Sequence, residues 1–134
     1  QAIALASGGR FEIPQNVRII GTMNTADRSI ALVDHALRRR FAFIKLAPNY
    51  EVLRRYHRAT GYPVDNLREV LQEINAQIGD EHYHLGITFF LHDDLAVHLE
   101  DIWTMEIVPY LEEYFFDQPD KAKAYTWDKV KSRL

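Results

Sequence analysis

The residues best suited to chemistry lie in one stretch. Gly21-Thr22-Met23-Asn24-Thr25-Ala26-Asp27-Arg28-Ser29 leads into Asp34-His35-Ala36-Leu37-Arg38-Arg39-Arg40-Phe41. The Asn24 amide can orient a water or a phosphate oxygen without adding charge. Asp27-Arg28 is a short acid–base pair beside it. About three helical turns later, Arg38, Arg39 and Arg40 offer planar donor forks, suited to the phosphates of a neighbouring subunit. Other chemistries are excluded or disfavoured. There is no cysteine, so disulfides, thiolate metal sites and cysteine nucleophiles are ruled out. His82, His84, His92 and His98 lack a helical i, i+4 pair, so they are expected in a solvated loop, with no metal site. Glu112-Glu113 reads as exposed acid on a helix.

Elements must position these groups. Val17–Met23 is a β-branched run after Pro14 and Asn16, which predicts a strand buried on both faces. Asp27 or Ser29 would cap a helix from Ile30 to about Arg39, with Ile30, Val33 and Leu37 on one face. The three arginines fall at its C-terminal end, where positive charge complements the helix dipole. Phe41–Leu46 predicts a second strand, parallel to the first in a βαβ unit. The strand would then deliver Asn24 to the carboxyl edge of a sheet, where ligands bind in open α/β folds.

The remainder predicts helices. One spans Tyr50–Ala59 and ends at Thr60-Gly61-Tyr62-Pro63. Asp65 can cap the next, which runs through Ile78 with Leu67, Val70, Leu71, Ile74 and Ile78 as its apolar stripe. A His-rich connection, Gly79–Thr88, follows. A long helix starts at Asp93 or Asp94 and reaches about Phe116, with Pro109 expected to kink or split it. Trp103, Tyr110, Tyr114 and Phe115 are assigned to the core. A last helix covers roughly Asp120–Leu134.

Composition frames this layout. The 134 residues are 47% hydrophobic and 26% charged, with net charge −3, the profile of a globular protein. No apolar run approaches the roughly 18–20 residues of a membrane span, and no basic region precedes the short N-terminal apolar stretch. A cytoplasmic location without membrane contact is expected. The charge is uneven: residues 1–46 carry seven basic and three acidic side chains, whereas 93–117 carry eight acidic and no Lys or Arg. That shift predicts two units joined at Pro48-Asn49. The acidic stretch reads as a solvated face, or as a docking surface for a basic partner.

NVRIIGTMNTADRSIALVDHALRRRF, 26 positions, resembles the McrB-type branch of the AAA+ nucleoside triphosphatases. Its MNTADRS segment is distinctive for that branch. Leu85–Phe90 is similar to the family's G-H-S-Y-F element, and Ile102-Trp103 through Phe115 to the helix after it. The resemblance covers most of Asn16–Phe116. It implies an α/β fragment, mostly α: a two-strand βαβ remnant of an AAA+ P-loop sheet over residues 1–47, then a helical lid bundle over 48–134.

The resemblance also implies roles. Asn24 is the sensor-1 residue near the γ-phosphate, and Asp27 and Arg28 link it to the subunit interface. Arg39 and Arg40 are the arginine-finger positions. Gly86 and Thr88 are the lid's contribution beside the nucleotide. The chain has Ile87 and Thr88 where the family has His and Ser, so the histidine contact does not carry over and the hydroxyl does. The complete protein would hydrolyse GTP or ATP with Mg as a homo-oligomeric ring, a hexamer. It would work with a separate nuclease subunit and act on DNA indirectly. No G-x-x-x-x-G-K-[ST] and no paired-acid strand occur in this sequence. The chain is therefore expected to be the C-terminal part of such a motor and inactive alone. The alternative is a non-catalytic helical interaction or oligomerisation module. Without further strands, residues 1–46 are expected to be mobile, to pair 17–23 with 41–46, or to complete a sheet with another copy.

Overall fold

In the computed structural model, which describes residues 3–4, 6–23 and 35–134, the chain divides into two units, Gln1–Val33 and Asp34–Leu134. In the first, β1 (Ile3–Ala4) and β2 (Arg10–Phe11) pair antiparallel. Gly8 in the turn between them has φ 82°, a left-handed backbone that glycine adopts without steric cost.

The second unit is helical. It contains α1 (His35–Arg38), α2 (Tyr50–Thr60), α3 (Asp65–Ile78), α4 (Leu95–Ile102), α5 (Val108–Tyr114), α6 (Pro119–Lys123) and α7 (Trp127–Val130). Two 3-10 turns, Glu81–Tyr83 and Thr88–Phe90, lie between α3 and α4. No helix among the described residues is long and apolar enough to cross a membrane.

The expected βαβ remnant is not formed. Neither 17–23 nor 41–46 is a strand, and the one strand pair among the described residues is the antiparallel β1–β2. β-branched composition favours a strand only where a neighbouring ladder and a packed face exist. Here Val17 N–H turns back to the Pro14 carbonyl at 3.0 Å, and the Arg18 guanidinium donates to the Gln15 and Val17 carbonyls. Ile20 is 92% exposed, Ile44 84% and Leu46 90%, so no apolar face is covered. The direct pairing of 17–23 with 41–46 falls with the strands. Of the helix expected over Ile30–Arg39, only α1 lies within the described residues.

The helical expectations fare better, and their termini show why. Asn49 caps α2 by accepting Glu51 N–H at 3.0 Å, and Gly61, at φ 77°, closes its other end with N–H to the His57 carbonyl. Asp65 does not cap α3. The preceding residue is Val64, without a side-chain bond, and Asp65 instead accepts from Arg54 of α2 at 2.8 Å. The predicted stripe on α3 is buried throughout.

The interruption at Pro109 takes the form of a π turn, Trp103–Ile107, joining α4 to α5. Proline has no N–H and its ring clashes with the carbonyl four residues back. The wider turn just upstream, with Val108 N–H bonding the Trp103 carbonyl, relieves that conflict. It also serves packing. Leu95, Leu99, Trp103, Ile107, Leu111 and Phe115 are all buried, every fourth residue. At 3.6 residues per turn such a stripe would rotate by about 40° per step, and the wider turn takes up part of that rotation. Trp103 is the pivot. Its ring lies 6.2 Å from that of Phe90, and its Nε1–H donates to the Tyr125 carbonyl at 2.7 Å.

The C-terminal segment is latched to α3. The Tyr125 hydroxyl donates to Glu73 Oε1 at 2.9 Å, and Arg133 donates to Oε2 at 2.6 Å. Arg133 first, then the Tyr125 hydroxyl, hold the Glu73 carboxyl below its ordinary 4.5. Burial, then the Glu73 contact, push Tyr125 up to about 12. Trp103→Ala is expected to cost about 3–5 kcal/mol in denaturant unfolding, from a cavity plus a lost hydrogen bond. The latch should hold between two limits. Its acid contribution is present above pH 4.5 and lost as pH falls through the depressed Glu73 value. Its alkaline contribution is complete below pH 10 and lost as pH rises through about 12. A melting-temperature series across the acid limb, compared with Glu73→Gln, checks this: the variant should show a flatter acid dependence.

Candidate functional site around the Leu85–Phe90 loop

A polar side chain buried in an apolar bundle must find partners for its hydrogen-bonding atoms. Among the described residues, His57 and Asn75 are the two buried polar side chains, at 1% and 5% exposure. Both spend their hydrogen bonds on one loop.

Asn75 sits on α3, one residue after Ile74 in the buried stripe. Its Oδ1 accepts Leu85 N–H at 2.7 Å, and its Nδ2 donates to the Leu85 carbonyl at 3.1 Å and to the Tyr50 hydroxyl at 3.0 Å. The amide thus matches both polar groups of one backbone residue, as a neighbouring strand would. The reversed amide would set donor against donor and acceptor against acceptor, so its orientation is determined. His57 sits on α2, one turn after the buried Leu53. Its Nε2 lies 2.7 Å from the Phe90 carbonyl. A carbonyl only accepts, so Nε2 carries the hydrogen. Nδ1 lies 2.8 Å from the Thr60 hydroxyl.

Between these two grips the loop alternates in burial. Leu85, Ile87 and Phe90 are buried in the core, whereas Thr88 is exposed. Gly86 presents no side chain. A Cβ there would lie 3.7 Å from Thr88 Oγ1, an ordinary contact, so the glycine leaves the backbone approachable without being sterically required. The preceding connection is held from α5: the Tyr110 hydroxyl donates to the Tyr83 carbonyl at 2.5 Å and that of Tyr114 to the Ile78 carbonyl at 2.9 Å. An open depression beside the Asn75 grip is lined by Ala47, Pro48, Tyr50, Gln72 and His84.

Gly86 and Thr88 therefore share one braced loop. Arg39 and Arg40 are exposed in the turn after α1, where Arg40 N–H bonds the Leu37 carbonyl at 2.9 Å. The Arg38 guanidinium lies 5.7 Å from the centre of the Phe43 ring. No hydrogen bond or ion pair among the described residues joins these arginines to the loop. Asn24, Asp27 and Arg28 lie outside the described residues. His92 and His98 stack at 4.4 Å, and among the described residues no group of three or more His, Asp or Glu is placed to hold a metal ion.

Sequence reasoning missed His57 and Asn75. A signal was present: each is a polar residue at a core position of an amphipathic helix, Asn75 at i+4 from Leu71 and His57 at i+4 from Leu53.

Residues 66–123 match the family model for the McrB alpha-helical lid domain. The chain is also 42% identical, over a 134-residue alignment, to the type IV methyl-directed restriction enzyme EcoKMcrB subunit of Escherichia coli strain K12. That alignment covers 87% of this chain and 29% of the relative, so the chain spans less than a third of the relative's length. The helices α3 to α6, and with them the braced loop, lie almost entirely within the matched region. The chain is thus McrB-like, with residues 66–123 matching the McrB α-helical lid.

Proposed function

We propose that this chain serves a nucleoside-triphosphate-hydrolysing AAA+ protein of the McrB type, with residues 1–47 in its nucleotide-binding core and 48–134 as its lid. The 42% identity to the E. coli restriction subunit, spanning 87% of this chain, carries the reading. Asn24 acts as sensor 1 and places the attacking water. Asp27 and Arg28 connect it to the subunit boundary. Arg39 and Arg40 reach the neighbouring subunit's nucleotide, where a guanidinium stabilises transition-state charge. Gly86 and Thr88 contact the same nucleotide from the lid.

The described residues suit a triphosphate. Arg39 and Arg40 are exposed cations, Thr88 is an exposed hydroxyl, and Gly86 offers backbone without a side chain. The nucleotide is GTP or ATP with Mg, which when bound supplies the phosphoryl group that water attacks. Hydrolysis takes place in a homo-oligomeric ring, a hexamer, in the cytoplasm. The ring works with a separate nuclease subunit and acts on DNA through that assembly, in keeping with the restriction role in the relative's name.

Nucleotide hydrolysis by the full-length gene product tests the reading. Arg39→Ala or Arg40→Ala should lower kcat by about 10³-fold or more, the scale of a lost arginine finger, with nucleotide binding retained. Full activity in both variants would remove the finger assignment.

A further inference from the structure

The two buried polar side chains grip opposite ends of the loop that exposes Thr88. Asn75 holds Leu85, the residue before Gly86, through both its N–H and its carbonyl at 2.7 and 3.1 Å. His57 holds the carbonyl of Phe90, two residues after Thr88, at 2.7 Å. Neither contact is needed to close a helix: α2 ends on Gly61 and α3 on Gly79, each with its own backbone bond. Neither grip comes from the loop's own neighbours in sequence. Asn75 is ten residues from Leu85 and His57 is 33 from Phe90.

An apolar residue at either position would bury as readily and carry no desolvation cost. Two polar ones, both directed at the backbone ends of a single six-residue loop, fix that loop's height and register against α2 and α3. Leu85, Ile87 and Phe90 in the core set which side faces inward. The hydrogen bonds set where along the helices the half-buried Gly86 and the exposed Thr88 stand.

We infer that Asn75 and His57 are positioning residues for the Gly86–Thr88 segment, holding its backbone and the Thr88 hydroxyl at the place where the nucleotide is contacted. This rests on the lid–nucleotide contact proposed above. Neither side chain touches the nucleotide. Each acts by removing the loop's freedom before binding, so the ordering cost is already met in the folded lid. Tyr50 supports the arrangement by accepting the second Nδ2 hydrogen of Asn75 at 3.0 Å, and Thr60 by holding His57 Nδ1 at 2.8 Å.

The test uses nucleotide hydrolysis by the full-length gene product, with KM, kcat and melting temperature measured for each variant. Asn75→Leu and His57→Leu keep the volume roughly and remove the grips. Both should raise KM for the nucleotide, up to about 10²-fold for a displacement of the order of an ångström. His57→Gln can place an amide N–H near the Nε2 position and should recover most of the wild-type KM. A purely structural role would lower the melting temperature of the leucine variants and leave KM unchanged, and that result in folded protein overturns the inference. Should the leucine variants fail to fold, Thr60→Val is read instead. It releases the Nδ1 side of the ring, together with the same hydroxyl's longer contacts to the His57 carbonyl and Tyr62 N–H at 3.3 Å, and should raise KM by a smaller factor; unchanged KM there overturns the inference equally. Thr88→Ala separates the two levels. If it raises KM while the grip variants do not, positioning fails and the lid contact stands. If Thr88→Ala and the grip variants all leave KM unchanged, both fall.

Discussion

A buried amide has two donor hydrogens and an acceptor oxygen to satisfy, and Asn75 does so by treating Leu85 as a strand partner. Leaving such a group unpaired in an apolar bundle costs about 1–3 kcal/mol per lost partner. The amide therefore acts as a constraint on where the loop can be. Once Leu85 is held, Leu85 and Ile87 are carried into the core. Phe90 then reaches the Trp103 ring, with the His57 contact closing the far end. The arrangement of α2 and α3 around the loop follows from satisfying two polar groups, with apolar burial supplying the driving force.

The second organising element is the helix that runs through the π turn. Its buried face repeats every fourth residue from Leu95 to Phe115, a spacing that a uniform α-helix does not keep on one side. Pro109 removes one backbone donor, and the π turn answers both demands at the same place. The outward side is acidic and carries single apolar residues such as Val97 and Met105. Its acidic side chains are all exposed, with the charge concentrated away from the core. Trp103 then ties this helix to the C-terminal segment, which Glu73 holds from the opposite side through Tyr125 and Arg133.

Resemblance and structure bear on different parts of the chain. The distinctive motif lies at residues 16–41, of which 24–34 are outside the described residues. The family model falls on 66–123, in the helical unit whose core runs from Leu53 to Val130. The McrB-like assignment thus stands on two lines, the lid match over 66–123 and the 42% identity to the E. coli relative across 87% of this chain. The exposed apolar side chains at 41–46 show what a strand-like sequence does without a ladder: among the described residues no second strand covers them, and they stay exposed.

The sequence by itself determined α2, α3 and the long helix interrupted near Pro109, whereas the last helix expected over Asp120–Leu134 is two short ones, α6 and α7. Periodicity at 3–4 residues placed the apolar stripe of α3 correctly, and Gly61 marked the end of α2, because these signals are local and repeat within one element. It also pointed to the family, since MNTADRS is a run of side chains that needs no coordinates to compare. Tertiary structure alone decided the rest. Whether Val17–Met23 becomes a strand depends on a partner elsewhere in the chain, and composition cannot supply one. Whether Asp65 caps a helix or pairs with Arg54 depends on how α2 lies against α3. Most of all, His57 and Asn75 looked like ordinary polar residues on amphipathic helices. Only the packing of the helices brought the backbone of Leu85 and Phe90 within hydrogen-bonding distance, because a contact across ten or 33 residues is set by three-dimensional closure and leaves no periodic trace in the chain.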